Sequence, residues 1–355
     1  MPNNDIERRC EGDSHNNNGA KDWVSQTIHD TLLRAFAKKV EEDNLSEEES
    51  AKIMAKVLES GIIEETYSDL LEDLSVSITE TLESSMYEHV LNARAHTAEF
   101  LARQEQKWGK AFIASEALYL CVLGATDNYN AFVVSKHGGE ENYRYLVLKN
   151  IHGRALQIYK EILCLNQNGF ADGAFARWRS LYELSVVACF INKYGESIAK
   201  AYVDSIDTEK TNEWARSAPC FKHKKPHDRI TLQNLIDNSD INASWRCEYK
   251  FSNLFVHSSA DATFHRLGAC GRNETIPVGH TDWGMTLSAT HAADSLVLIT
   301  VELFSLFPHG DSIAAAKAFI AWTDRIEEFY QAVEDECFPN IGITDSNIPK
   351  TENGG

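Results

Sequence analysis

Residues 169–192 read GFADGAFARWRSLYELSVVACFIN, and this stretch decides the fold. Asp172 is placed to cap a helix that runs on to about Ile191. From Leu184 to Ile191 the sequence is apolar on almost every side, the pattern of a helix enclosed by other helices. The first half differs, because it carries Arg177, Arg179 and Glu183. At about 100° per residue, Arg179 and Glu183 fall on the same side as Val186 and Phe190. A cation and a carboxylate are thus expected along a core-facing stripe, four residues apart, where they can pair.

The flanking sequence is helical in both directions. Ile151, Ala155, Ile158, Ile162 and Leu165 keep the helical repeat in a segment from about Tyr143 to Leu165. Asn168-Gly169 turns that segment into the central helix, so the two are expected to pack antiparallel. Downstream, Gly195 closes the central helix and short helices follow at 196–206, 209–215 and 231–236. Further helices are predicted at Trp245–Ser258, Leu287–Leu306 and Asp311–Val333, the second of them strongly apolar. The stretch LGACGRNETIPVGHTDWGM (267–285) reads as irregular, the one place where short strands could occur. Upstream, helices are predicted from Trp23, from the Ser46/Glu49 capping box, over Tyr67–Asn92 and over Thr97–Gly124. The segment after Gly124, with Gly138-Gly139, reads as a break. The predicted class is all-α, a multi-helix bundle with a buried central helix at about 169–192 and an acidic N-terminal helical region. The expected layout is a disordered lead at 1–20, the acidic region at 21–96, the bundle at 97–335 and a disordered tail at 336–355.

Composition excludes several functions. The chain has 355 residues and a formal net charge of −19. Between Glu41 and Phe100 stand 16 acidic residues and 3 Lys or Arg, so much of the excess is local. So acidic a chain is not a general phosphate-backbone binder, though a local basic groove elsewhere remains open, and the acidic helices could take a basic protein partner. No membrane span and no signal peptide are read from the sequence. Scattered cysteines inside helical patterns (Cys121, Cys164, Cys189) fit the reducing cytoplasm. No phosphate-binding glycine loop, dinucleotide fingerprint, H-E-x-x-H or G-x-S-x-G occurs.

Four groups of residues could carry chemistry. Arg179 and Glu183 are either a buried structural ion pair or part of a site. In WRCEYKFSNLFVHSSAD (245–261), Arg246, Tyr249, Lys250, Asn253 and His257 share one side of a helix, against Phe251, Leu254 and Phe255 on the other. That face is either solvated or meets Arg179 and Glu183 in a polar pocket, where His257 could move a proton and arginine could stabilise an oxyanion. Cys220, His223 and His227 have zinc-ligand spacing without a matched fourth ligand, Cys247 and Cys270 being distant options, and their loop holds Lys222, Lys224, Lys225 and Arg229. His257, Asp261 and His265 would share a face if the helix continued past Ser259. No metal and no cofactor is assigned.

The pattern G-x-A-D-G-A-x-x-R-x-R-S-L-x-E (Gly169–Glu183), followed by Y-x-x-S-x-x-x-x-H (Tyr249, Ser252, His257), resembles an uncharacterised bacterial all-helical family of unknown function. The resemblance spans roughly Thr97 to Phe307 and implies that Arg179, Glu183, Tyr249, Ser252 and His257 are signature positions. More distantly the chain resembles HEPN-type helical ribonucleases of bacterial conflict systems, which use R-x(4–6)-H at a helix end. Here Arg246 and His257 have ten residues between them, and Arg216 and His223 have the spacing but lie at a proline-containing loop. That resemblance implies a metal-independent ribonuclease or toxin-type effector in defence or stress, acting on RNA as a homodimer. Arg179, Glu183, Tyr249 and His257 would be the catalytic set, with Arg246, Lys250, Ser252 and Asn253 in binding. The alternative is a non-catalytic helical binding or regulatory protein with a structural Arg-Glu-His cluster.

Overall fold

The computed structural model describes residues 68–138, 142–208, 212–242, 245–256, 260–264, 266–269 and 278–337, with isolated positions between 30 and 55. The expected lead at 1–20, the tail from 338, His257, His265 and Cys270 lie outside the described residues. The described residues form nine α-helices and no strand: α1 Ser68–His137, α2 Tyr143–Gln167, α3 Ala171–Tyr194, α4 Glu196–Asp204, α5 Leu232–Asn238, α6 Trp245–Ser252, α7 Ala260–Phe264, α8 Met285–Phe304 and α9 Gly310–Cys337. Single 3₁₀ turns stand at Glu213–Ser217, Pro219–Phe221, Asn253–Phe255 and Leu267–Ala269. The chain divides into two compact units, Met1–Phe100 and Leu101–Gly355.

In the first unit, the backbone N–H of Ser46 donates to Glu49 Oε2 and that of Glu49 donates to Ser46 Oγ, a reciprocal capping box. The hydrogen bonds to Ser46 hold the Glu49 carboxyl below its usual range.

The second unit is organised on three mutually packed helices, α2, α3 and α8. Helix α9 packs on α8, α4 on α2, and α5 and α6 on α3. Helix α2 buries the expected stripe of Ile151, Ala155, Ile158 and Ile162. Helix α3 buries Phe175, Trp178, Leu181, Tyr182, Val186, Phe190 and Ile191, so it is the core helix the sequence predicts. Helix α8 offers Ala289, Ala292, Leu296, Ile299 and Leu303. The small residues let α8 approach closely, and Trp178 Nε1 reaches across to His291 O and Ser295 Oγ at 3.1 and 3.0 Å. By length and composition α8 and the stretch Leu74–His137 could each cross a membrane. Helix α8 is placed as a core helix, apolar because protein surrounds it.

Three expectations are corrected and one open point is narrowed. The predicted helices at 67–92 and 97–124 are one helix, and it continues to His137 through the segment read as a break. The connection NARAHT holds no proline or glycine, and its alanines and arginine favour a helix. Beyond Gly124, burial of Tyr129 and Val133 and the bond from Tyr129 Oη to Leu303 O (2.8 Å) outweigh the turn propensity of the Asp and Asn residues. Second, Asp172 does not cap α3. Phe170 holds that position, Asp172 lies in the first turn, and its carboxylate accepts the Leu267 N–H at 2.7 Å. The turn before α3 is closed by Gly169 at φ 73° and by the Phe170 N–H on Leu165 O. Third, the irregular stretch where short strands could occur carries a 3₁₀ turn at Leu267–Ala269 and joins α8, with no strand among its described residues. Fourth, the predicted helix over 245–258 is α-helical only to Ser252 and tightens to 3₁₀ at Asn253–Phe255. A face drawn over the whole stretch at α-helical spacing therefore holds only up to Ser252.

Candidate functional site

Helix α6 brings Tyr249 onto the first half of α3. Tyr249 Oη donates to Glu183 Oε1 at 2.8 Å, and Arg179 Nε donates to the same oxygen at 3.0 Å. The Arg179 guanidinium lies 5.2 Å from the centre of the Tyr249 ring, which also stacks on Tyr182 at 4.7 Å. Three of the four proposed catalytic residues therefore converge, two from one helix at i, i+4 and the third from its neighbour. The fourth, His257, lies outside the described residues.

The stripe geometry needs adjustment. Side-chain exposure is 24% for Arg179 and 39% for Glu183, so the pair stands at the edge of the core and not within it. The broad face of α3 covered by α8 is apolar, and the charged pair sits where that face turns to solvent beside α6. This placement spares the ions most of the desolvation cost that a sealed pair would carry.

Electrostatics fix the protonation states. Burial pushes the Tyr249 hydroxyl up to about 12, reinforced by its bond to Glu183 and opposed by Arg179. Tyr249 is thus a phenol at neutral pH, a donor and not a base. Burial would lower the Arg179 pKa, but Glu183 and Tyr249 outweigh it and hold the guanidinium charged. The cluster is a cation with fixed orientation, braced by a carboxylate and set against an aromatic ring.

The residues expected to bind fare unevenly. Arg246 points to α5, where Nη1 pairs with Asp237 at 2.9 Å. Ser252 is buried and its hydroxyl donates to Tyr249 O at 2.7 Å, so it braces α6 and presents nothing to a ligand. Lys250 is exposed. Asn253 is half-buried in the 3₁₀ turn.

Tyr182 of α3, whose ring stacks on Tyr249, and His291 of α8, which lies against Trp178, are further polar side chains with buried polar atoms. His291 lies 4.9 Å from Trp178, and burial pushes its imidazole down to about 4, so it is neutral. Tyr182, Asp237 and His291 carry no signal in the sequence. Each reads there as an ordinary helical residue, and only packing sets Tyr182 against Tyr249, Asp237 against Arg246 and His291 against Trp178.

Cys220, His223 and His227 do not form a ligand set. His223 and His227 are exposed, and Cys220 is half-buried. Among the described residues no three His, Cys, Asp or Glu side chains converge on a possible metal position.

The fold and this cluster define an all-α helical protein with an Arg–Glu–Tyr constellation at a helix–helix edge. Residues 145–275 match the model of a family described as Family of unknown function (DUF5677), so this stretch fits an uncharacterised family. The match runs from the first turn of α2 past α7 and includes Arg179, Glu183, Tyr249, Ser252 and His257. It is narrower than the Thr97–Phe307 span of the sequence resemblance. No curated protein and no solved structure matches the chain.

Proposed function

We propose that the chain is a HEPN-like, metal-independent ribonuclease or toxin-type effector acting on RNA in bacterial defence or stress. The observation that carries this reading is Arg179, a partly exposed guanidinium held charged and oriented by Glu183 and Tyr249. Such a group is prepared to stabilise negative charge that grows on a phosphate. His257 follows in sequence, five residues after Ser252, and supplies the acid–base group. In the reaction a base takes the proton of an RNA 2′-hydroxyl, and the freed oxygen attacks the adjacent phosphorus. The 5′-oxygen of the next nucleotide leaves with a proton returned by an acid. Arg179 stabilises the dianionic intermediate, Glu183 and Tyr249 position Arg179, and His257 exchanges the proton.

The test is cleavage of RNA in the presence of a chelator by the wild type, Arg179→Ala and His257→Ala. The expected result is cleavage by the wild type and a loss of about 100-fold or more in each variant. If neither the purified wild type nor a pulse of its expression in cells degrades RNA, the reading is wrong.

A specific observation favours a second reading. Arg179, Glu183 and Tyr249 satisfy one another, as a structural bracket between α3 and α6 would. The chain would then be a binding or regulatory protein whose acidic N-terminal region takes a basic partner. Retention of a cellular phenotype in Arg179→Ala and His257→Ala would select it.

A further inference from the structure

The loop after Arg216 in the second unit has a sign that opposes that of the chain. Between Arg216 and Arg229 there are five Lys or Arg residues and one acid, in a molecule of net charge −19. The region is an ordered loop. Arg216 donates from Nη2 to Asp228 O at 2.6 Å and from Nη1 to Lys225 O at 3.2 Å, and its Nε pairs with Glu213 at 2.5 Å. Glu213 in turn accepts the Ile230 N–H, and Asp228 accepts the Lys225 N–H at 3.0 Å. The only acid in the loop and its innermost arginine are thus engaged in holding the backbone. The loop is anchored on α3 by Phe221, which stacks on Phe190 at 5.8 Å, and by Trp214, which meets the same ring edge-on.

That scaffold leaves four cations outside. Lys222, Lys225 and Arg229 are exposed and Lys224 is half-buried, and among the described residues no carboxylate pairs with any of them. Their anchor at Phe190 is seven residues beyond Glu183 on α3, a rise of about 10 Å. Helix α5, which also packs on α3, lies between the loop and α6 in sequence, and its Asp237 holds Arg246 of α6. The loop and the Arg179 cluster therefore belong to neighbouring stations along one helix.

We infer that the loop at 217–229 is a phosphate-binding strip for a single-stranded nucleic acid whose chain continues to the Arg179–Glu183–Tyr249 cluster. The inference rests on the proposed action on RNA. A protein partner fits this surface less well. Among the described residues of the loop itself, 217–229, no large hydrophobic side chain is exposed, whereas protein interfaces anchor on buried apolar and aromatic groups. Backbone phosphates need only unneutralised cations, and a preordered loop supplies them with little further loss of entropy.

The experiment measures binding, not cleavage. Full-length protein carrying Arg179→Ala, in chelator, is titrated with a fluorescent single-stranded RNA at several salt concentrations. The same titration is run after adding Lys222→Gln, Lys224→Gln, Lys225→Gln and Arg229→Gln. Removing one cation from its phosphate should flatten the slope of log K against log salt by about 0.7, so the fourfold variant should lose nearly all of its salt dependence. Affinity at 100 mM salt should fall at least tenfold with the melting temperature unchanged. Equal affinity and slope in the two proteins would overturn the inference, even if the wild type cleaves RNA. A loop-dependent slope in a protein that never cleaves RNA would support the strip and remove the ribonuclease reading. If polyglutamate of matched charge displaced RNA at equal concentration, the surface would be a general receptor for acidic chains and the assignment to nucleic acid would fail.

Discussion

Replacing Arg179 by alanine should cost little stability, and the size of that cost separates a functional cluster from a structural one. The Arg179–Glu183 pair is an i, i+4 pair with side chains 24% and 39% exposed, and solvent screens such pairs to about 0.5 kcal/mol. The guanidinium above the Tyr249 ring adds about 0.5 kcal/mol at a partly exposed position. Glu183 is not abandoned by the change, because Tyr249 Oη still donates to it at 2.8 Å. The total is about 1 kcal/mol, a fall of about 2–4 °C in melting temperature for a unit of this size. A sealed ion pair broken in the same way would cost about 3–5 kcal/mol. The measurement is denaturant unfolding of Arg179→Ala followed by tryptophan fluorescence, beside the RNA assay. A loss above 3 kcal/mol would refute the reasoning, since it would show that the cation is a structural member of the core. A loss near 1 kcal/mol with activity abolished would assign Arg179 to function.

Further expectations concern the frame around the site. Burial pushes the Asp294 carboxyl up to about 6, aided by Glu327 and Asp324 and opposed by Thr323, so the folded state retains a proton that the unfolded chain releases near pH 4. Stability should fall as pH rises from about 4 to 6, by at most about 3 kcal/mol, and Asp294→Asn should flatten that fall in thermal melts across the range. Tyr129→Phe removes a buried hydroxyl that donates to Leu303 O and accepts the Phe307 N–H; unfolding experiments should show a loss of about 1–3 kcal/mol. Gly284 lies at φ 87°, and a Cβ there would stand 2.9 Å from Leu267 O, so Gly284→Ala should destabilise by more than about 1 kcal/mol and loosen the entry to α8 in hydrogen exchange. Trp178→Ala should cost about 3–5 kcal/mol by calorimetry, because the ring is fully buried and its N–H bonds to α8.

The sequence by itself determined the class of the fold and its centre. Period and burial agree in α2, α3 and α8, since an apolar stripe at helical spacing has no stable place except against other helices. The short-range signals are also realised where their partners are local: Ser46 with Glu49, and the Thr231 cap of α5. The pairing of Arg179 with Glu183 is legible for the same reason, because residues at i, i+4 are neighbours on any helix.

Tertiary structure decided what no local rule encodes. Tyr129 and Val133 continue α1 through a segment rich in turn formers because their burial in the core stabilises more than the turn residues cost. Asp172 leaves the cap to bind the Leu267 N–H, a partner 95 positions away. The helix at 245 tightens after Ser252, which breaks the face on which Asn253 was placed. Above all, the meeting of Tyr249 with Glu183 joins residues 66 positions apart. Spacing within one helix fixes which side chains are neighbours, but only the packing of α6 on α3 decides which carboxylate a phenol reaches and how much water stays beside it.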